Sequence, residues 1–133
     1  MESNGISLND FKEALAGLPS EFEPINEEFL EKYKTEIEII KKFHEPFGGV
    51  YVISTYDVLV RLPSELIYHN YMNIYAENDF IGAEEYLIES CLLYPTVDIL
   101  QKWIDSGCPG IVKTISWQII KLAGSIKPET RRL

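Results

Sequence analysis

The sequence predicts a mainly α fold: a compact helical domain with one small β-hairpin and an acidic helical N-terminal arm. Three observations predict it. Apolar residues recur at helical spacing along most of the chain, a single pair of short β-branched runs interrupts them, and acidic charge gathers at one end. The chain has 133 residues, enough for one domain with a real core, and its 46% hydrophobic and 12% aromatic content is enough to fold it. Residues 1–46 hold eleven acidic and five basic residues, a net of −6 within a chain total of −9. The chain therefore divides near Pro46. The expected organisation is an acidic helical arm at 1–46, a hairpin plus helical domain at 47–125 and a polar tail at 126–133.

Each element has a local reason. Ser7 is a plausible N-cap with Asp10 three positions on, and Leu8, Phe11, Leu15 and Leu18 form the stripe of a first helix that Gly17-Leu18-Pro19 stops. Asn26 caps a second helix, with Glu27 and Glu28 in its first turn and Lys41 and Lys42 in its last, each matched to the helix dipole. Phe29, Leu30, Tyr33, Ile37, Ile40 and Phe43 are its apolar positions. Gly48-Gly49 then leads into Val50-Tyr51-Val52-Ile53, and Asp57–Leu62 follows after a polar break. Both runs have strand length and strand composition, although the break lacks an Asn-Gly signature. A lone hairpin is marginal in water and needs the helices as cover.

From Pro63 the pattern is helical. Ser64 caps a helix with Leu66, Ile67, Tyr71, Ile74 and Tyr75. Asp79 starts another, carrying Phe80, Ala83, Leu87, Ile88, Cys91 and Leu92, which Tyr94-Pro95 ends. Thr96 caps a third, striped by Val97, Leu100, Trp103 and Ile104. The last helix carries Ile111, Val112, Ile115, Ile119, Leu122 and Ala123, with Gly124 suited to its C′ position. Leu87, Ile88, Cys91, Leu100, Trp103, Ile115 and Ile119 are the expected core.

Composition limits the function. A pI near 4.7 opposes a general grip on nucleic acid, which needs clustered cations to displace counterions, and opposes adsorption to anionic membranes. The N-terminus has neither the basic start nor the apolar run of a signal peptide, and no stretch reaches the roughly 20 apolar residues that span a bilayer. A protein partner and a cytoplasmic setting are therefore expected, and no cofactor.

The residue types that do chemistry do not form motifs. His44 sits at a helix end and His69 within a helix, with no metal-ligand spacing around either. Cys91 lies on an apolar stripe and acts there as a small hydrophobe, whereas Cys108 precedes a proline in a turn. Free thiols are expected at both. Glu27-Glu28 and Glu84-Glu85 are adjacent on helices and diverge by about 100°, so neither pair converges on one atom. The expectation is a non-enzyme. A small Cys-dependent enzyme stays as a distant alternative, because catalytic partners meet in space rather than in sequence.

The informative residues are apolar ones with polar ends. Tyr68, Tyr71, Met72 and Tyr75 give one helix a wider apolar arc than a single core contact needs, and Trp117 lies off the stripe of the last helix. Tyr71, Tyr75 and Trp117 are the candidate partner-binding residues, since such side chains anchor protein interfaces.

The order of features also resembles a family. A sheet segment ending Arg61-Leu62-Pro63, a Tyr-rich helix, Leu87–Pro95 containing Cys91-Leu92-Leu93-Tyr94-Pro95, then Val97-Asp98-Ile99-Leu100 and a helix ending Leu122-Ala123-Gly124 is similar to small tail assembly chaperones of tailed phages. The resemblance spans about residues 50–125, and residues 1–46 have no counterpart in it. It implies a viral, non-enzymatic virion-assembly protein that binds a long helical partner such as the tape measure protein and acts in the host cytoplasm. A head, neck or tail adaptor that stays in the virion is the alternative. There the same apolar surface would make a permanent symmetric contact, as in a homo-oligomer.

Overall fold

The computed structural model describes residues 2–124 and 130–133. The chain opens with a two-strand hairpin, β1 (Glu2–Ser3) and β2 (Ile6–Ser7), and continues into helices α1 (Leu8–Ala16), α2 (Glu27–Lys32) and α3 (Lys34–His44). A 3-10 turn at Glu45–Phe47 leads to strands β3 (Val50–Ile53) and β4 (Val58–Arg61). Then follow α4 (Glu65–Ala76), α5 (Phe80–Cys91), β5 (Leu92–Tyr94), α6 (Val97–Asp105), α7 (Ile111–Ala123) and β6 (Thr130–Arg132). The mainly α class expected from the sequence is the one observed.

The expected hairpin is the centre of a larger sheet, ordered β5-β4-β3-β6 and antiparallel throughout. Its register sets Val52 opposite Leu59, Tyr51 opposite Val60 and Ile53 opposite Val58. Side chains alternate between faces along a strand. Val50, Val52 and Leu59 accordingly join a core with Phe11, Ala14, Leu18, Ile25, Phe29, Ile37, Ile40 and Phe43 from the N-terminal helices. Ile53, Val58 and Val60 join a second core with Leu87, Ile88, Cys91, Leu100, Ile111, Ile115 and Ile119. The hairpin is covered on both faces, which explains why its runs are almost wholly apolar rather than alternating.

Residues 3–46 thus form a layer whose apolar side chains share a core with β3, β4 and Tyr94. The Tyr94 hydroxyl accepts a hydrogen bond from the Glu23 amide at 2.7 Å, and its ring tilts against Phe29 at 5.4 Å. Phe22 meets Trp103 of α6 edge-on at 4.8 Å, so the N-terminal layer also reaches the helices of the second core.

Most caps act as the sequence predicts. Ser7 and Asp10 form a reciprocal capping box, and Asn26, Ser64, Asp79 and Thr96 each accept from a backbone amide of the first turn. The end of α3 is satisfied from elsewhere: the Ser3 hydroxyl donates to the Phe43 carbonyl, the Asn4 amide to that of Lys42, and the Gly49 amide to that of His44. Gly48 and Gly49 both have positive φ, 99° and 85°, which turns the chain from α3 into β3 at little steric cost.

The structure corrects several expectations. The helix expected from Asn26 breaks at Tyr33 (φ −109°, ψ 28°), where the side chain packs on Phe29 and its hydroxyl donates to Glu23 at 3.1 Å. Leu92–Tyr94, expected as a helix end, forms β5, because pairing with β4 satisfies backbone groups that a fraying helix would leave open. Gly124 is extended (φ −102°, ψ −168°) rather than left-handed. Of the expected polar tail, residues 125–129 lie outside the described residues. Thr130–Arg132 add to the sheet as β6 beside β3, and the Leu133 amide donates to the Val50 carbonyl at 3.1 Å. Leu8, Leu66, Phe80 and Val97, all placed on core stripes, are exposed. Trp103 is half-buried, and the other six expected core residues are buried.

His44 is buried between elements, with its ring edge-on to Phe11 and Phe43 and its Nδ1 3.0 Å from the Ile40 carbonyl, to which it donates. Burial lowers its pKa below 6.5, and the Arg61 charge adds to this, against the Ile40 bond that favours the charged ring. The folded chain therefore binds the His44 proton less readily than the unfolded chain. The stability tied to the neutral ring is complete above pH 6.5 and is lost as pH falls below that value toward the folded pKa. Thermal melts at pH 7.5 and 5.5 should show a larger drop for the parent than for His44→Phe. Equal drops would remove His44 as the cause.

Candidate functional site

Helix α4 has a wide apolar arc of which only part is covered. Ile67, Tyr71 and Ile74 recur at helical spacing and are half-buried, and α4 packs on α5. Tyr68, Met72 and Tyr75 form the adjacent stripe and are exposed, and no residue of α4 is fully buried. Both ends of the helix are fixed as well. Ser64 caps its start, and Asn78 takes a left-handed conformation (φ 64°) that turns the chain into the Asp79 cap of α5. Asn70 donates to the Tyr86 hydroxyl at 3.1 Å and ties the two helices together.

The exposed stripe borders an open groove of about 720 Å³ between α4, the start of α5 and α7. Tyr71, Tyr75 and Trp117, singled out in the sequence, all line it, together with Tyr68, Met72, Phe80 and Ile120. The rings run in sequence: Tyr68 to Tyr71 at 6.5 Å, Tyr71 to Tyr75 at 5.9 Å and Tyr75 to Phe80 at 4.7 Å. Across the groove, Trp117 is 57% exposed and Lys121 lies over its ring at 5.6 Å. Tyr71 is the inner member of the set. Burial raises its pKa, helped by Tyr75, Glu84 and Tyr68, so it stays a neutral hydroxyl.

Sequence reasoning missed Phe80 as part of this surface. It lies on the same helical stripe as Ala83 and Leu87, but it is the first residue of α5, outside the second core, and its ring is exposed.

The chemistry-bearing residues do not come together. His44 is buried in the N-terminal core, and His69 is exposed with its Nε2 3.9 Å from Glu65. Cys91 and Cys108 are free thiols, one buried and one exposed, and burial pushes the Cys91 pKa up to about 12. A thiol held that high is a poor nucleophile at neutral pH. Among the described residues no group of three or more His, Cys, Asp or Glu could hold a metal ion, and no helix is long and apolar enough to cross a membrane. Comparison with known proteins gives no match to a family model and no significant match to a curated protein or a solved structure.

Burial separates residues that hold the fold from residues that form the groove. Ile115 is fully buried and Trp117, two positions away, is mostly exposed. Ile115→Ala should cost about 2–5 kcal/mol of stability, whereas Trp117→Ala should cost about 1 kcal/mol or less. Urea melts of both variants check this, and equal losses would return Trp117 to the core.

Proposed function

We propose that this chain is a non-enzymatic protein-binding module, and that the groove between α4, α5 and α7 is where a helical partner docks. One observation carries the reading: three residues picked for their chemistry, Tyr71, Tyr75 and Trp117, line a single apolar groove beside a helix that buries none of its residues completely. An open groove with an apolar lining suits an amphipathic helix that inserts apolar residues at i, i+3 or i+4, and i+7. Tyr, Trp and Met suit it too, because their apolar bodies desolvate on binding while their polar or polarisable ends tolerate water beforehand.

The resemblance over residues 50–125 supports a narrower form of the same reading, in which the chain is a phage tail assembly chaperone that works in the host cytoplasm. Its partner is then the tape measure protein, a long helical chain whose apolar stripes need cover until the tail is built. The net charge of −9 would keep such a complex soluble.

The test is co-expression of the tagged chain with the tape measure protein of the same genome. Tyr75→Ala and Trp117→Ala should each keep the fold, checked by a thermal melt, and lose ~2 kcal/mol of binding, roughly thirtyfold. Folded variants that bind like the parent would move the interface away from this groove. Mass spectrometry of purified particles separates the chaperone, which is absent from them, from an adaptor present at fixed copy number.

A further inference from the structure

A second groove, of about 590 Å³, lies between α5, α6 and α7. Its floor is apolar: Ile88 and Leu100 are buried, and Ile104 and Val112 are half-buried. Its walls carry two of the most exposed aliphatic side chains of the molecule, Ile81 at 71% and Val97 at 52%. Along its α5 lip stand Glu84, Glu85 and Glu89, and the lining residues include one cation, Lys113. Glu85 and Glu89 are four apart on one helix, a like-charge spacing that destabilises a helix by roughly 0.2–0.5 kcal/mol. Neither forms an ion pair among the described residues.

We propose that this groove takes an amphipathic helix with Lys or Arg flanking its apolar stripe. The apolar stripe would cover Ile81 and Val97, and the flanking cations would meet Glu85 and Glu89 and remove their mutual repulsion. Charge decides between occupants. A second copy of this chain, with a net charge of −9, would bring acid against acid, and an anionic lipid surface would do the same. The inference does not depend on the aromatic groove. The two share only Phe80, Glu84 and Lys113 among their lining residues, and each can fail alone.

The experiment uses the full chain and two synthetic 18-residue helical peptides with the same leucine stripe, one flanked by lysine and one by glutamate. Binding is followed by fluorescence anisotropy. The lysine peptide should bind at least about tenfold more tightly than the glutamate peptide, and added salt should weaken it. Glu85→Gln with Glu89→Gln should cost about tenfold in affinity for the lysine peptide while leaving the thermal melt unchanged or raised. Glu27→Gln with Glu28→Gln on α2, an equal change in net charge, should leave that affinity unchanged. Equal affinity for both peptides would overturn the proposal, as would no binding of either, or equal losses in the two double variants. Loss on Trp117→Ala with none on Glu85→Gln and Glu89→Gln would place the peptide in the aromatic groove instead and would also overturn it.

Discussion

The structure depends on burying the β3–β4 ladder on both faces. A two-strand hairpin has little stability alone, and each of its faces here is completed by a different part of the chain. The N-terminal helices bring Phe11, Phe29, Ile37, Ile40 and Phe43 to one face, and α5, α6 and α7 bring Leu87, Cys91, Ile115 and Ile119 to the other. Each layer is a set of short amphipathic helices that cannot form a core without a flat apolar partner. The sheet supplies that partner, and the edges are closed by β5 and β6, which are short.

The arrangement explains why the chain has surplus apolar surface on one side. The second core is built mainly from α5, α6 and α7 against the sheet, with Ile67 and Tyr71 of α4 packed at its edge, so α4 lies on the flank of α5 and its outer stripe of Tyr68, Met72 and Tyr75 stays exposed. Ile81 at the start of α5 and Val97 at the start of α6 are likewise left exposed. Two open grooves therefore border α5 and α7, one aromatic and one edged by carboxylates. The N-terminal layer differs, since most of its large apolar residues are buried or half-buried in a core of stacked rings such as Phe11 on Phe43 at 4.6 Å. Among the described residues, most of its acidic side chains are exposed.

What was legible in the sequence followed from strong local signals. Ser7, Asn26, Ser64, Asp79 and Thr96 marked helix starts because a capping side chain acts within three residues. The runs at Val50 and Val58 marked strands because their composition is dense in β-branched residues. Tyr71 and Tyr75 could be chosen because they widen the apolar arc of their helix, and Trp117 because it lies off the stripe of the last helix, and the fold brings all three to one groove. What was not legible depends on distant partners. Leu92–Tyr94 continues the apolar stripe of α5, so only its pairing with β4 reveals a strand. The break at Tyr33 comes from contacts with Glu23 and Phe29, against good local helix propensity. Tyr94 gave no sign that its hydroxyl would take the Glu23 amide, 71 positions away. One missed element did have a signal: Asn4-Gly5, both at positive φ, is the favoured two-residue turn of a hairpin.

If the two cores share one sheet, they should open together. Native-state hydrogen exchange reads this directly, by comparing the amides of β3 and β4 with those of α3 and α7. The account predicts that the amides of Val52, Leu59, Ile40 and Ile115 exchange slowest, with opening free energies that agree within about 1 kcal/mol, the mark of one cooperative unit. Slow exchange in β3, β4 and α7 alongside fast exchange throughout α3 would contradict it. That result would mean that the second core stands by itself and that the N-terminal helices are an addition to it.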